Sequence, residues 1–368
     1  MSTRAVVAGV AVTAVVLAAA AAAAAGPGPE WQNVPRSSPG DRHVFGAAGR
    51  VWFVNGPLGG TISAKSARIT GARLTGWVFA TRPGAAGLSF TTLLGQDLVY
   101  ETAGGDLRAM HLLPNGQLGQ LSDIAGAPPP SSSTGTPLVR LRDRVIRIVS
   151  VGRGPYHLGV CCDSSGKPVS YPTIYYRVEG LQQEAWLGVD RHGRLWLTWW
   201  MGLGLASRHH VAMAELDPGT LRVRGKPKVV PVPRLRDDFP IGLACRETCR
   251  VLVIANQTAG PGGPFSWGPG EGSATRLSIP ENDVAIGAAD RGGRLEVAYQ
   301  TVVRPPRYDT LTVGVARGDR RGLGLQTVSS IQYPLKGSPV GPFGVFGDRG
   351  FAVAGVYVSH VRAAILPG

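Results

Sequence analysis

Residues 185–200 read AWLGVDRHGRLWLTWW, and this stretch indicates the fold. Two apolar segments flank the polar sequence Asp190-Arg-His-Gly-Arg194, which contains the Asp and Gly residues that favour tight turns. Short apolar runs joined by such a turn predict a β-hairpin whose strands are largely buried.

The same arrangement of strand, turn and strand recurs along the chain. The other copies are HVFGAAGRVWFVN (43–55), LSFTTLLGQDLVYET (88–102), PLVRLRDRVIRIVSV (137–151), IGLACRETCRVLVIAN (241–256), VAIGAADRGGRLEVAYQ (284–300) and FGVFGDRGFAVAGVYV (343–358). Their second segments start 44 to 56 residues apart. A period near 50 residues is typical of repeat architectures.

The content of each period distinguishes between repeat architectures. In the copy at 185–200, the hairpin is followed by an alternating segment at 210–217 and then by a more polar one at 221–232. Four strands per repeat, with the innermost the most apolar, predict an all-β propeller of about seven four-stranded blades. A helical solenoid would need helical periodicity, which is not seen, and a β-sandwich would not show this period.

The turn Asp190-Arg-His-Gly-Arg-Leu-Trp196 resembles the Asp/Gly turn of sialidase-type and other secreted β-propellers. The resemblance implies architecture alone, because the Asp-box of the sialidases, S-x-D-x-G-x-T-W, lacks its Ser and Thr here. No catalytic residue is carried over from that class.

The N-terminus predicts export. Residues 5–25 are uncharged and apolar, follow a lone Arg4, and precede a Gly/Pro-rich break. This is the layout of a signal peptide, and the run is also long enough for a retained membrane anchor. We expect a signal or anchor at 1–25, a linker at 26–40 and a single propeller domain at 41–368, secreted or held outside the cytoplasm.

Four cysteines agree with that compartment, since an even count in an exported chain favours disulfides. Cys245 and Cys249 would staple a hairpin, whereas Cys161 and Cys162 would pair with each other or with the first two. Metal binding is disfavoured, because adjacent cysteines point in different directions.

The net charge of +14 favours anionic partners, although arginine dominates and only five of the 38 Lys+Arg residues are lysine. An arginine bias of this kind is partly compositional. The basic residues form no long run, which argues against nucleic acid. We expect a monomer that binds a protein or an anionic glycan such as a cell-wall polymer.

Candidate site residues come from the loops that share one face in propellers, an inference by analogy. Trp200 and Trp267 would stack on sugars, although one of Trp199 and Trp200 should point into the core; Trp267 lies in a Gly/Pro-rich stretch too irregular for core. The other candidates are Arg304, Arg307 and Tyr308 for anions, Asp237 and Asp238 for Ca²⁺ or acid–base chemistry, and Tyr156.

Three functions follow from these observations. The first is an extracytoplasmic binding or scaffold propeller. The second is a glycan-active hydrolase or lyase with its site at the channel mouth, sialidase-like or lyase-like, and the third is a membrane-anchored sensor ectodomain. No G-x-S-x-G or H-E-x-x-H motif is present. No cofactor is expected, apart from a structural Ca²⁺ at Asp237 and Asp238.

Overall fold

The computed structural model describes residues 29–367 except for 42, 56–59, 103, 126–137, 152–155, 164, 176–184, 202–209, 233–237, 256–263, 280–282, 302–309, 335–342, 348–349 and 358. Within these residues, 28 β-strands form seven four-stranded antiparallel sheets. The protein is an all-β, seven-bladed propeller, which confirms the fold expected from the repeat.

Each blade is a meander running outward from the central axis. The innermost strands are β2 His43–Ala47, β6 Leu88–Leu94, β10 Leu138–Leu141, β14 Ala185–Val189, β18 Asp238–Cys245, β22 Asp283–Arg291 and β26 Phe343–Gly347. The second strands are β3 Arg50–Asn55, β7 Asp97–Thr102, β11 Arg144–Val151, β15 Leu195–Met201, β19 Cys249–Ala255, β23 Arg294–Thr301 and β27 Gly350–Tyr357.

The outer halves of the blades are less regular. The third strands are β4 Thr61–Thr70, β8 Leu107–Leu112, β12 Tyr156–Cys161, β16 His210–Leu216, β20 Pro264–Trp267, β24 Thr310–Arg317 and β28 His360–Leu366. The fourth strands are β5 Arg73–Pro83, β9 Leu118–Asp123, β13 Val169–Tyr175, β17 Lys228–Val229, β21 Thr275–Arg276, β25 Gln326–Pro334 and β1 Gln32–Asn33. Blades 1 to 7 are numbered from β2, so β1 completes blade 7.

The ring is closed by the N-terminal strand. β1 pairs with β28, with Gln32 opposite Ala363 and Asn33 opposite Arg362. The sequence predicts a linker at these two residues, but the structure places them in the fourth strand of blade 7. Trp31 supports the closure, because its Nε1 donates to the Gln332 carbonyl at 2.6 Å and its ring meets Tyr333 edge-on.

The second strands are mostly apolar because both of their faces are buried. In β27, Phe351 and Val353 pack against blade 6, whereas Ala352 and Ala354 on the opposite face pack against blade 1. Successive side chains of a strand point to opposite faces, so one strand serves two cores. The continuous runs of the sequence are therefore what buried sheets require.

Seven separate apolar clusters, one at each blade junction, hold the described part of the ring together. Innermost strands of neighbouring blades also contact one another around the axis. Each fully buried Val, Leu or Phe side chain contributes roughly 1.5–3 kcal/mol. The stability is thus distributed over blade interfaces rather than over one central core.

The antiparallel meander gives the propeller two different faces. We call "turn face" the one that carries the hairpin turns between the first and second and between the third and fourth strands, such as 190–194 and 217–227. The opposite face, the "loop face", is where the second strand leads to the third and one blade leads to the next. Among the described residues no helix is long and apolar enough to cross a membrane; the segment 5–25 lies outside them.

Candidate functional site

Half of the eight candidate residues placed on the loop face lie outside the described residues. Arg304, Arg307, Tyr308 and Asp237 belong to this group. Asp238 begins β18 and Tyr156 begins β12, and in both cases only the backbone is described. Their proposed roles as anion contacts, acids or calcium ligands therefore remain predictions.

The tryptophan pair in β15 has one member in the core, as expected. Trp199 is fully buried between blades 3 and 4, where its ring lies 5.7 Å from that of Tyr171. Trp200 is half-buried and packs at the margin of the same cluster. A sugar-stacking role for Trp200 remains a prediction.

The expectation that Trp267 lies in an irregular, accessible loop is wrong. Trp267 ends β20, is 2% exposed, and packs in the core between blades 4 and 5. Its Nε1 donates to the Glu271 carbonyl at 3.0 Å, which satisfies the buried indole. The Gly/Pro-rich sequence around this four-residue strand did not predict it, because Trp267 is buried by residues of blades 4 and 5 that lie outside this local stretch.

Both cysteine pairs lie at disulfide distance. Cys245 and Cys249 are register partners at the first hairpin turn of blade 5, which is the staple expected from the sequence. Cys161 and Cys162, at the end of β12, pair with each other, one of the two alternatives the sequence left open. Disulfides of this kind are typical of proteins outside the cytoplasm.

Asp190 accepts most of the hydrogen bonds that hold the turn 190–194 of blade 4. Its carboxylate is fully buried; Oδ1 accepts from the backbone N–H groups of His192 (3.0 Å) and Arg194 (3.1 Å). Oδ2 accepts from Arg194 Nε at 2.7 Å and from Trp196 Nε1 at 3.1 Å. Burial raises the pKa of Asp190, but the hydrogen bonds from Trp196 and Arg194 outweigh it and hold that pKa below its usual value.

Arginines bridge the blade junctions. Taken around the ring from the junction of blades 1 and 2, the bridges are Arg82 to the Leu118 carbonyl, Arg140 to Asp97, Arg144 to the Pro218 carbonyl, Arg194 to the Glu247 carbonyl, Arg246 to Asp290, Arg291 to the Gly350 carbonyl and Arg73 to Glu30. Each guanidinium offers five donors in a rigid fork, which suits it to span two blades. Much of the arginine excess therefore has a structural use.

Two further carboxylates, one fully and one largely buried, also form ion pairs with arginine. Glu296, fully buried in β23, accepts from Arg317 Nη2 at 2.6 Å and pairs with Arg291 at 3.1 Å. Glu271 takes a bidentate bond from Arg250, at 2.6 and 2.8 Å. Burial raises the pKa of Glu271, but the Arg250 hydrogen bonds lower it further than burial raises it, so the carboxylate stays ionised.

The same holds for the remaining described carboxylates. Their partners are Lys65 for Asp41, Arg147 for Glu101, Arg108 for Asp123, Arg224 for Glu215 and Asp217, and Arg191 for Glu247; Asp106, Asp163 and Asp319 accept hydrogen bonds within their turns. Asp143, exposed at the first turn of blade 3, is the exception. No cluster of three potential metal ligands occurs in the described part of the chain.

Apart from the bridging arginines, the described residues include a group of exposed cations that was not among the sequence predictions. Lys167, Arg222, Lys226 and Lys228 are all exposed at the outer edge of blades 3 and 4, and we call them the basic rim. Three of the five lysines lie here, while Lys65 is buried against Asp41. The signal was the basic residue at every second position of RVRGKPK (222–228).

No protein-family model and no curated protein matches this chain. Among solved structures it is similar to a polysaccharide lyase of family PL25, an ulvan lyase bound to -[GlcA(1-4)Rha3S]-, with a TM-score of 0.51, 10% identity, and coverage of 91% of this chain and 94% of that one. It is also similar to a puromycin hydrolase, with a TM-score of 0.52, 14% identity, and coverage of 90% of this chain and 52% of that one. These likenesses support the propeller fold.

Proposed function

We propose that this protein is an extracytoplasmic binding propeller that recognises an anionic polymer by charge, without transforming it. The main observation in support is that nearly all described acidic groups are held in ion pairs or in hydrogen bonds within turns. A glycosidase mechanism needs two carboxylates a few ångströms apart and free to exchange protons. The described carboxylates are instead held by arginine, lysine or turn hydrogen bonds, and Asp143 alone does not make such a pair.

Location outside the cytoplasm is supported by two independent features. The apolar segment 5–25 has the layout of an export signal or anchor. Both cysteine pairs lie at disulfide distance, which suits an oxidising compartment. Acidic polysaccharides are polymers that a basic protein meets in that compartment.

Excess positive charge remains after internal pairing, and it supports an anionic partner. The chain carries a formal net charge of +14, and the basic rim exposes four cations at one edge of the ring. A surface of this kind attracts polyanions over a distance of about 10 Å at 0.1 M salt.

The test is retention and turnover measured together. The protein exported by an expression host is passed over carboxylated, sulfated and uncharged polysaccharide columns at increasing salt, and the flow-through is examined by mass spectrometry for shortened chains. We expect salt-sensitive retention on the two acidic columns, with polymers of unchanged length.

Shortened or unsaturated products would instead make this protein an enzyme and would overturn the binding proposal. Absence of retention on both acidic columns would turn attention to a protein partner. The mass of the exported protein tests the location: a start near residue 26 indicates a cleaved signal, and the full mass in the membrane fraction indicates an anchored ectodomain.

A further inference from the structure

A groove of about 530 Å³ lies between the outer edges of blades 3 and 4 on the turn face. Lys167, Val169 and Ser170 of blade 3 line one side, and Arg222 and Val223 of blade 4 line the other. The lining of the groove therefore combines apolar side chains with cationic and hydroxyl groups.

Lys167 and Arg222 both lie in turns whose backbones are fixed by hydrogen bonds. On blade 3, Asp163 Oδ1 accepts from the Lys167 N–H at 3.0 Å, and the Asp163 N–H donates to the Lys167 carbonyl at 2.9 Å. On blade 4, the Asp217 N–H donates to the Arg222 carbonyl at 2.8 Å, and Asp217 Oδ1 accepts from the Thr220 N–H at 2.8 Å. Turns ordered in advance reduce the entropy lost when a ligand binds.

The two walls are also tied to each other. Tyr171 of β13 is buried, and its hydroxyl donates to the Leu221 carbonyl, next to Arg222. Burial raises the pKa of Tyr171, so the phenol stays protonated and remains a donor. The spacing between Lys167 and Arg222 is thus set by an interblade hydrogen bond and not by flexible side chains alone.

Positive charge prevails along this edge. Arg224 is neutralised by Glu215 and Asp217, each at 3.1 Å, and Asp163 is the one acid among the residues that line the groove. Lys167 interacts electrostatically with Asp163, whereas Arg222 makes no side-chain ion pair with a described residue. Lys226 and Lys228, both exposed, extend the positive charge along blade 4. An anion entering the groove would therefore meet more positive than negative charge.

The form of the edges favours side-chain recognition of an anionic chain over strand addition by a peptide. β13 contains Pro172 and is preceded by Pro168, and the two-residue β17 is preceded by Pro227. Proline removes the N–H groups that an added strand needs. Stacking of nucleic-acid bases is disfavoured as well, because Tyr171, the one aromatic residue in the lining, is buried.

We infer that this groove is a binding site for an acidic sugar chain, with Lys167 and Arg222 contacting its carboxylate or sulfate groups and Val169 and Val223 packing against the apolar faces of its rings. Lys226 and Lys228 would contact anionic groups on the following residues of the chain. The inference rests on the proposed function, for which it supplies a location and a substrate class. Arginine forks and lysine ammonium groups both form charge-assisted bonds with these anions.

The experiment compares two double variants of equal charge change by calorimetric titration. Lys167→Glu/Arg222→Glu alters the groove, and Arg68→Glu/Arg294→Glu changes two exposed residues on blades 1 and 6. The probes are an oligogalacturonate, a dextran sulfate fragment, an uncharged dextran fragment and poly-glutamate. Thermal unfolding of both variants checks that the fold is retained.

We expect the groove variant to lose roughly ten- to hundredfold in affinity for the two acidic sugars, since two charge-assisted bonds are removed, and the control variant to lose less than threefold. Equal losses in both variants would overturn the groove while leaving the proposed function in place. If the native protein binds neither acidic sugar, the proposed function itself fails. Tighter binding of poly-glutamate than of the sugars, weakened by the groove variant, would replace the sugar with an acidic peptide.

Discussion

Replacing Asp190 with asparagine tests whether the buried carboxylate, rather than the turn alone, holds the first hairpin of blade 4. Asparagine keeps Oδ1, which accepts from the His192 and Arg194 N–H groups. It replaces Oδ2 with an amide that faces two donors, Arg194 Nε and Trp196 Nε1. The substitution therefore turns two hydrogen bonds into two donor–donor contacts while changing the side-chain volume little.

The loss of free energy of unfolding depends on whether each donor that loses Oδ2 can bind water instead. Trp196 is 6% exposed, so its indole N–H would stay unpaired at a cost of about 1–3 kcal/mol. The Arg194 side chain is 39% exposed and regains water, which limits its share. We expect the free energy of unfolding to fall by about 2–3 kcal/mol at pH 7.

The matched control is Asp163→Asn, in the same Asp-x-x-Gly turn geometry. Asp163 accepts through Oδ1 alone, from Ser165 and Lys167, and asparagine keeps that oxygen. Differential scanning calorimetry and tryptophan fluorescence should therefore show a lower unfolding temperature for Asp190→Asn and almost none of that change for Asp163→Asn. Equal shifts in the two variants would refute the role assigned to Oδ2.

The pH dependence gives a second check on the same carboxylate. Since the pKa of Asp190 is lowered in the folded state, its stabilisation is present above the ordinary carboxyl pKa of about 4 and is lost as the pH falls through the lowered value. The difference in stability between the native protein and Asp190→Asn should therefore narrow as the pH falls below about 4. A difference that stays constant down to pH 2 would contradict the lowered pKa.

Three further substitutions probe other contacts. Gly188→Ala should lower the unfolding temperature, because its Cβ would collide with the Cys245 sulfur, and reducing the disulfides should shrink this effect if the sulfur is the obstacle. Trp31→Ala should cost about 2 kcal/mol by removing the contacts with Tyr333 and Gln332, with faster amide exchange in β28 as the sign that ring closure has weakened. Tyr171→Phe should cost about 1–2 kcal/mol, since the Leu221 carbonyl loses its donor; unchanged stability in urea unfolding would show that water replaces the hydroxyl.

The repeated hairpins could be predicted from the sequence because the residues that form their turns and strands are close together in the chain. A turn such as Asp190-x-x-Gly193 is closed by bonds between neighbours, and Gly193 adopts the positive φ that the turn requires. The second strands are mostly apolar because each is covered on both faces. The fold, the number of blades, the pairing of Cys245 with Cys249 and the burial of one tryptophan of the pair 199–200 all follow from these short-range patterns.

The ring closure and the burial of Trp267 could be recognised only in the tertiary structure. β1 has only two residues and pairs with β28 more than 300 positions away, so no local pattern marks it as a strand. Trp267 lies beside Gly and Pro residues that suggest a loop, and the core around it is completed by side chains of blade 4 that are distant in the sequence.

The basic rim shows the same division between sequence and tertiary structure. The alternating basic residues of 222–228 are evident in the sequence, where they predict a polar outer strand. The arginine excess was interpreted there as partly compositional. Only the structure shows which guanidiniums are used between blades and which cations remain exposed. It also brings Lys167 beside Arg222, because the groove exists only where two blades, each built from local hairpins, meet through contacts that are distant in the chain.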